Sequence, residues 1–200
     1  MSAGDRRRVI EDIATEVFGE RGYHGASIEE IARRSGVTVP VIYDHFSSKR
    51  ALYQHLIEWH YEQLRGIWFA HAETDAPVSS WIGTAVDAWF AHIEERRFAG
   101  RMLFRDTTGD PELTAAHRAI LDASRAEILP LLSRVLRPDL PGHDAIALEL
   151  AWETFRSALQ GLALWWYEHP DVPRQTIVAG AMNSTWIGFE RFQSGDQWMP

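Results

Sequence analysis

Ser27, Thr38, Tyr43, Asp44, His45 and Lys49 crowd hydroxyls, a carboxylate, an imidazole and an ammonium into one short stretch near the start of a 200-residue chain. Hydroxyl and cationic donors suit phosphate oxygens, and a run of mixed polar and apolar side chains suits the edges of base pairs. A second concentration is aromatic. Eight of the nine tryptophans fall between Trp68 and Trp198, and tryptophan supplies a large apolar face with one donor, as ligand pockets and protein interfaces require. Nine histidines raise a metal question, but no His-x-x-x-His pair occurs, and His55 and His60 are five apart on different helix faces. The lack of cysteine excludes disulfides, thiolate metal centres and a cysteine nucleophile. Neither Gly-x-Ser-x-Gly, nor a phosphate loop, nor Gly-x-Gly-x-x-Gly is present, so no enzyme, no metal and no cofactor is expected.

Helices must hold these residues. Apolar residues recur at three- and four-residue spacing nearly throughout, and no useful length of β-type alternation appears, so the expected fold class is all-α. Val9, Ile10, Ile13, Val17 and Phe18 form the stripe of a helix over about 5–21. Ser27-Ile28-Glu29-Glu30 is a capping box that opens a two-turn helix, which Gly36 ends. Thr38 is placed to cap a third helix with Pro40 in its first turn, where the missing N–H costs nothing. Two short helices joined by a glycine turn and packed on a longer one make a helix-turn-helix, whose second helix enters the DNA major groove. Thr38, Val39, Tyr43, Asp44 and His45 are then its exposed face, and Val37, Val41, Ile42 and Phe46 its buried side. Lys49, in the first turn of a fourth helix, is placed as a phosphate clamp, and Arg6, Arg7 and Arg8 as a flexible basic arm. Further helices are expected over about 78–97, 98–106, 111–136 with a kink or break near Pro130, 143–168 and 173–193, with prolines marking most boundaries.

The run Ser27-Ile28-Glu29-Glu30-Ile31-Ala32 through Gly36-Val37, then Val41-Ile42-Tyr43-Asp44-His45-Phe46-Ser47-Ser48-Lys49 and Leu52, resembles the TetR family of bacterial regulators. That resemblance implies an N-terminal three-helix DNA-binding domain, a larger helical domain that binds a small effector, a homodimer, and repression relieved by the effector. It assigns phosphate or backbone contacts to Ser27, Thr38, Tyr43, His45 and Lys49, and places Val39, Pro40 and Asp44 where base edges are approached. Asp44 departs from the more usual aromatic, polar or basic residue; phosphate repels a carboxylate there unless it accepts from a cytosine amino group or pairs with an arginine. The expected domains are 1–50, which binds DNA, and 51–200, which binds effector and dimerises.

In the second half, Leu148, Trp152, Phe155, Leu159, Leu162 and Trp166 make one stripe of the 143–168 helix, and alanines with Trp165 populate another side, so the helix must be covered on both. The last helix shows the same excess. Together they form an antiparallel hairpin expected to pair with its copy as a four-helix interface, with Phe155, Leu159, Leu162, Trp166, Ala181, Met182, Thr185 and Phe189 as interface candidates. By family analogy the effector pocket lies among the fourth, fifth, seventh and eighth helices. Trp68, Trp89, Met102 and Trp152 are candidates for its apolar area, and His92, Arg105 and Arg156 for orienting a ligand. Arginines facing the cavity favour an anionic ligand, and an apolar one otherwise; Arg105-Asp106 is alternatively a structural ion pair.

The net charge of −8 argues against a generic polyanion binder, although residues 1–60, with eight Lys/Arg against nine Asp/Glu, are the less acidic part. No apolar run approaches the roughly 18–20 residues of a membrane span, and no signal-like segment opens the chain, so a cytoplasmic protein with no membrane partner is expected. The leading expectation is a homodimeric repressor released from a palindromic DNA operator by a small molecule. The alternative is an all-α small-molecule-binding or scaffold protein with a vestigial helix-turn-helix.

Overall fold

The computed structural model describes residues 3–72, 78–105, 109–135 and 145–187. These form nine α-helices and a π turn, with no strand among the described residues. They divide into two compact units, one of residues 1–63 with 96–120 and the other of 64–95 with 121–200. No helix among the described residues is long and apolar enough to cross a membrane.

The first unit begins with α1 (Ala3–Gly25), longer than the expected 5–21 because a bend at Gly22 (φ 70°) is followed by another turn to Gly25. The expected flexible arm is therefore absent: Arg6, Arg7 and Arg8 belong to this helix. Ile10, Ala14, Val17 and Phe18 are buried from α1. Opposite them lie Ile31 of α2 (Ile28–Ser35), Ile42 of α3 (Val39–His45), and Leu52 and Leu56 of α4 (Lys49–Ala72). Each of these aliphatic residues is fully enclosed, and full burial of one such side chain stabilises by about 1.5–3 kcal/mol. Helix α6 (Arg97–Phe104) lies directly on α1: a Cβ added at Gly19 would stand 2.7 Å from the Phe98 carbonyl oxygen, so only glycine permits this approach. Asp110 caps α7 (Pro111–Val135), accepting from the backbone amides of Glu112 at 3.0 Å and Leu113 at 3.2 Å. That helix runs through Pro130 without ending, since proline removes one donor and crowds one carbonyl but need not stop a helix.

The second unit contains the end of α4, α5 (Val78–Glu95), the rest of α7, α8 (Ala145–Glu168) and α9 (Arg174–Ala181), with a π turn over Met182–Trp186. Val86 and Phe90 of α5, Leu159 and Trp166 of α8, and Ile177 and Ala181 of α9 form its core. Trp166 Nε1 donates to the Val172 carbonyl at 2.7 Å and so closes the α8–α9 turn. Arg174 binds Asp87 at 3.0 Å and Glu94 at 2.8 Å, pinning the start of α9 to α5. The helix expected over 173–193 continues past Ala181 to Ile187, with a π segment over Met182–Trp186 that keeps helical φ/ψ at both ends; residues 188–193 lie outside the described residues.

Candidate nucleic-acid interface and ligand cavity

Ser27 accepts from the Glu30 amide at 3.1 Å, which fixes where α2 begins. Gly36 ends it in the left-handed region (φ 66°, ψ 28°), and Val37 N–H closes on the Ala32 carbonyl at 3.0 Å. A non-glycine residue is strained at that φ, so the tight turn between α2 and α3 requires Gly36. Arg34 ties α2 to α1 through Glu20 at 2.8 Å and braces α2 itself through Glu30 at 2.7 Å. The guanidinium beside Glu20 holds its carboxyl below the ordinary glutamate range, against a smaller opposing push from burial. Thr38 stands at the N-cap of α3 but its side chain makes no capping bond; Pro40 occupies the first turn.

Helix α3 is oriented by Ile42, which is fully enclosed. Pro40, Tyr43 and Asp44 are exposed, and Val39 and His45 are half-buried. Tyr43 is 49% exposed, so it does not pack under α1. Lys49 is more committed than a solvated clamp. Its ammonium donates to the Ala26 carbonyl at 2.9 Å and lies 4.6 Å above the Tyr23 ring. Burial lowers its pKa from the usual lysine value, with Glu29 pulling the other way. An ammonium has three donors, so this anchorage fixes Lys49 at the start of α4 and leaves donors for phosphate. Arg7 turns inward instead of reaching out: its Nε donates to Glu11 at 2.9 Å and its guanidinium lies 4.9 Å over Phe46. His55 joins the same carboxylate at 2.7 Å, a cluster that helical periodicity alone does not reveal because its members come from α1, α4 and the end of α3.

In the second unit a partly open apolar cavity is lined by Trp68, Trp81, Ile82, Ile128, Leu132, Ala151, Trp152, Phe155 and Trp186; its empty space is about 420 Å³ only when the open solvent at its mouth is included. Every lining residue is apolar or aromatic. Trp68 meets Trp152 edge-on with ring centroids 6.3 Å apart, and Phe155 at 5.7 Å. Two of the seven pocket candidates, Trp68 and Trp152, therefore line it. Trp89 is buried against Phe90, and neither it nor His92 of α5 contributes to the lining. Arg156 is turned to Glu153 and to Gln160, the latter at 2.8 Å. Met102 and Arg105 belong to the first unit, where Met102 is a core residue; Asp106, the alternative partner of Arg105, lies outside the described residues. Sequence reasoning missed Trp81, Ile82, Ile128, Leu132 and Trp186. Their types signalled burial, but which side of each helix met the same space depends on tertiary packing.

The interface candidates shift in the same way. Leu159, Trp166 and Ala181 are buried within the protomer, and Phe155 lines the cavity, so these four face inward. Leu162, Met182 and Thr185 are half-buried, and Phe189 lies outside the described residues. The outward face of the hairpin carries Ile146 (67% exposed), Leu150 (63%) and Trp165 (45%) on α8, with Gly161 between them. On α9 and beyond, the exposed residues include Ala179, Gly180 and Ile187. Both glycines have open space where a Cβ would stand. Two apolar faces on one helix cannot be told apart by periodicity, and packing chose the bulkier one for the interior.

Residues 10–56 match the family model described as bacterial regulatory proteins, tetR family. Over 187 residues the chain is 31% identical to the HTH-type transcriptional activator FasR of Mycolicibacterium smegmatis, covering 92% of this chain and 83% of that protein. Two solved structures share the fold. A TetR-like transcriptional regulator from Rhodococcus sp. RHA1 superposes with a TM-score of 0.74 at 17% identity, covering 92% of this chain and 96% of that one. The transcriptional regulator FadR from Bacillus subtilis, in complex with stearoyl-CoA, gives 0.70 at 20% identity over 90% and 95%. With the Ser27 cap, the Gly36 turn and the exposed face of α3 all inside the matched segment, the chain belongs to the TetR family of bacterial transcriptional regulators.

Proposed function

We propose that the chain works as a homodimer that grips a palindromic DNA operator through its two α3 helices and releases it when an apolar small molecule fills the cavity of the second unit. The observation that carries this reading is the outward face of α3, where Pro40, Tyr43 and Asp44 are exposed while Ile42 is fully enclosed on the other side. A short helix anchored by one buried residue and fronted by mixed side chains is suited to a groove. Ser27, Thr38, Tyr43, His45 and Lys49 would meet phosphate, and Val39, Pro40 and Asp44 base edges. Paired recognition helices require half-sites about 34–36 Å apart or a multiple of that. The exposed apolar face of α8 and α9, with its bare glycines, supports pairing with a second copy.

For the ligand, the all-apolar lining favours a hydrocarbon chain or flat hydrophobe over an anionic group held inside the cavity. The stearoyl-CoA bound by Bacillus subtilis FadR supports an acyl chain as the occupant. Helix α4 starts at Lys49 and carries Trp68 into the lining, so one helix is common to both sites.

The test is a titration of duplex DNA from upstream of the protein's own gene, repeated at several salt concentrations and with stearoyl-CoA. Lys49→Ala should weaken binding to all sequences alike and reduce the salt slope by roughly one. Saturating stearoyl-CoA should quench tryptophan emission and lower operator affinity by about 5- to 150-fold, with DNA weakening ligand binding by the same factor. A second reading, ligand-strengthened binding and activation, is favoured by the naming of FasR as an activator; an increase in operator affinity would select it. Quenching with no change in operator affinity would overturn the sensor role for that compound. Absence of any salt-dependent DNA binding would leave a helical binding protein that retains the helix-turn-helix for packing.

A further inference from the structure

Asp44 is the residue of α3 that phosphate contacts cannot use. It is exposed, and no ion pair or hydrogen bond engages its carboxylate among the described residues. Its helix neighbours three and four residues back are Val41 and Pro40, neither of them cationic, and the helix ends at His45 before any residue stands three or four ahead. It stands next to the last residue of the helix, where the backbone dipole disfavours negative charge. At about 100° per residue it points roughly 160° away from the enclosed Ile42 and sits beside exposed Pro40. Folding therefore gains nothing visible from this carboxylate, and a residue that breaks local rules without structural return marks function.

A carboxylate brought to DNA is repelled by every phosphate it passes, whatever the sequence. It recovers that loss only opposite a hydrogen-bond donor. In the major groove the donors are the amino groups of cytosine and adenine; guanine and thymine show acceptors there. Adenine sets its N7 acceptor beside its amino group, which repels a carboxylate, whereas cytosine offers its N4 amino group next to a carbon-bound hydrogen. We infer that Asp44 is a specificity-determining residue that accepts a hydrogen bond from a cytosine amino group in each operator half-site, which rests on α3 being the element that enters the groove. Asp44 lowers affinity for all DNA and thereby raises the contrast between the operator and everything else.

The experiment uses the full-length protein, wild type, Asp44→Asn and Asp44→Ala, each put through selection from a randomised duplex pool and then titrated on selected and scrambled duplexes at one salt concentration. Exposure of the residue predicts unchanged circular dichroism and thermal midpoints for both variants. Wild type should select cytosine at one position in each half-site, and replacing that pair should weaken binding about tenfold, within the usual range for a single base contact. Asp44→Asn should exchange cytosine for adenine at that position, since an amide both donates and accepts, and Asp44→Ala should lose the preference. Both should bind scrambled duplex more tightly than wild type. If wild type selects a palindrome that both variants also select, with the same weight at every position, the inference is overturned while the operator reading stands. If wild type selects no sequence at all, both fall together.

Discussion

Arg34 sits between two carboxylates, and its effect depends on pH in a direction that can be worked out. The Glu20 carboxyl titrates lower in the folded protein than the roughly 4.3 of a free glutamate. Its pairing therefore stabilises fully above that value and is lost as pH falls through the folded pKa. Arg34→Gln should accordingly lower the midpoint of urea unfolding at pH 7, and the gap from wild type should narrow as the pH falls through the acid range below the ordinary glutamate value. A gap that does not change with pH across that range would assign the effect of Arg34 to packing. Ser27 supports the same region by a different route, and Ser27→Ala should cost about 1 kcal/mol through loss of the cap. The sequence spelled out that cap through the spacing of Ser27 and Glu30. It did not spell out the packing of Arg7 over Phe46 or the anchorage of Lys49 on the Ala26 carbonyl, because those partners stand 39 and 23 residues away along the chain and meet only on folding.

Between elements, close approach is decided by glycines whose surroundings differ. At Gly19 an added Cβ meets the backbone of Phe98, which cannot rotate away. Gly19→Val should therefore destabilise by about 1–3 kcal/mol, as overpacking does. Gly66, within α4, has nothing near an added Cβ, and Gly66→Ala should stabilise by about 0.5–1 kcal/mol because alanine costs less backbone entropy in a helix. Opposite shifts of the thermal midpoint would check the pair, and a matching loss in both would place the α1–α6 contact in doubt. The helix order was readable from caps, prolines and stripes. The π turn over Met182–Trp186 was not, since a widened turn leaves the apolar spacing almost unchanged.

For the molecule as a whole, the outward hairpin face makes a sharper test of dimerisation than the residues of the apolar stripe. Gly161→Arg adds a charge where a protomer has open space, so the chain should fold normally and fail to pair. Light scattering should show the monomer mass, with operator affinity falling alongside, since one recognition helix alone spans one half-site. Leu159→Arg, in contrast, places an unpaired charge in the protomer's own core and should destabilise folding by several kcal/mol. A Gly161→Arg protein that remains dimeric would move the interface off this face.

Local chemistry settled everything that depends on neighbours along the chain: the all-α class from 3.6-residue periodicity, the helix-turn-helix from Ser27, Gly36 and Pro40, and the family from the run through Lys49. Each of those features is encoded within a few residues and needs no distant partner. Which faces turn inward was decided only when the helices packed. Trp68, Trp152 and Phe155 share one cavity with Trp81 and Trp186, whereas Arg156 turns to its own helix and Met102 enters a different core. The physical reason is that burial is non-directional: an apolar residue gains about the same free energy against any apolar neighbour. Composition and spacing therefore say that α8 must be covered on two sides, and only shape complementarity in three dimensions selects what covers each.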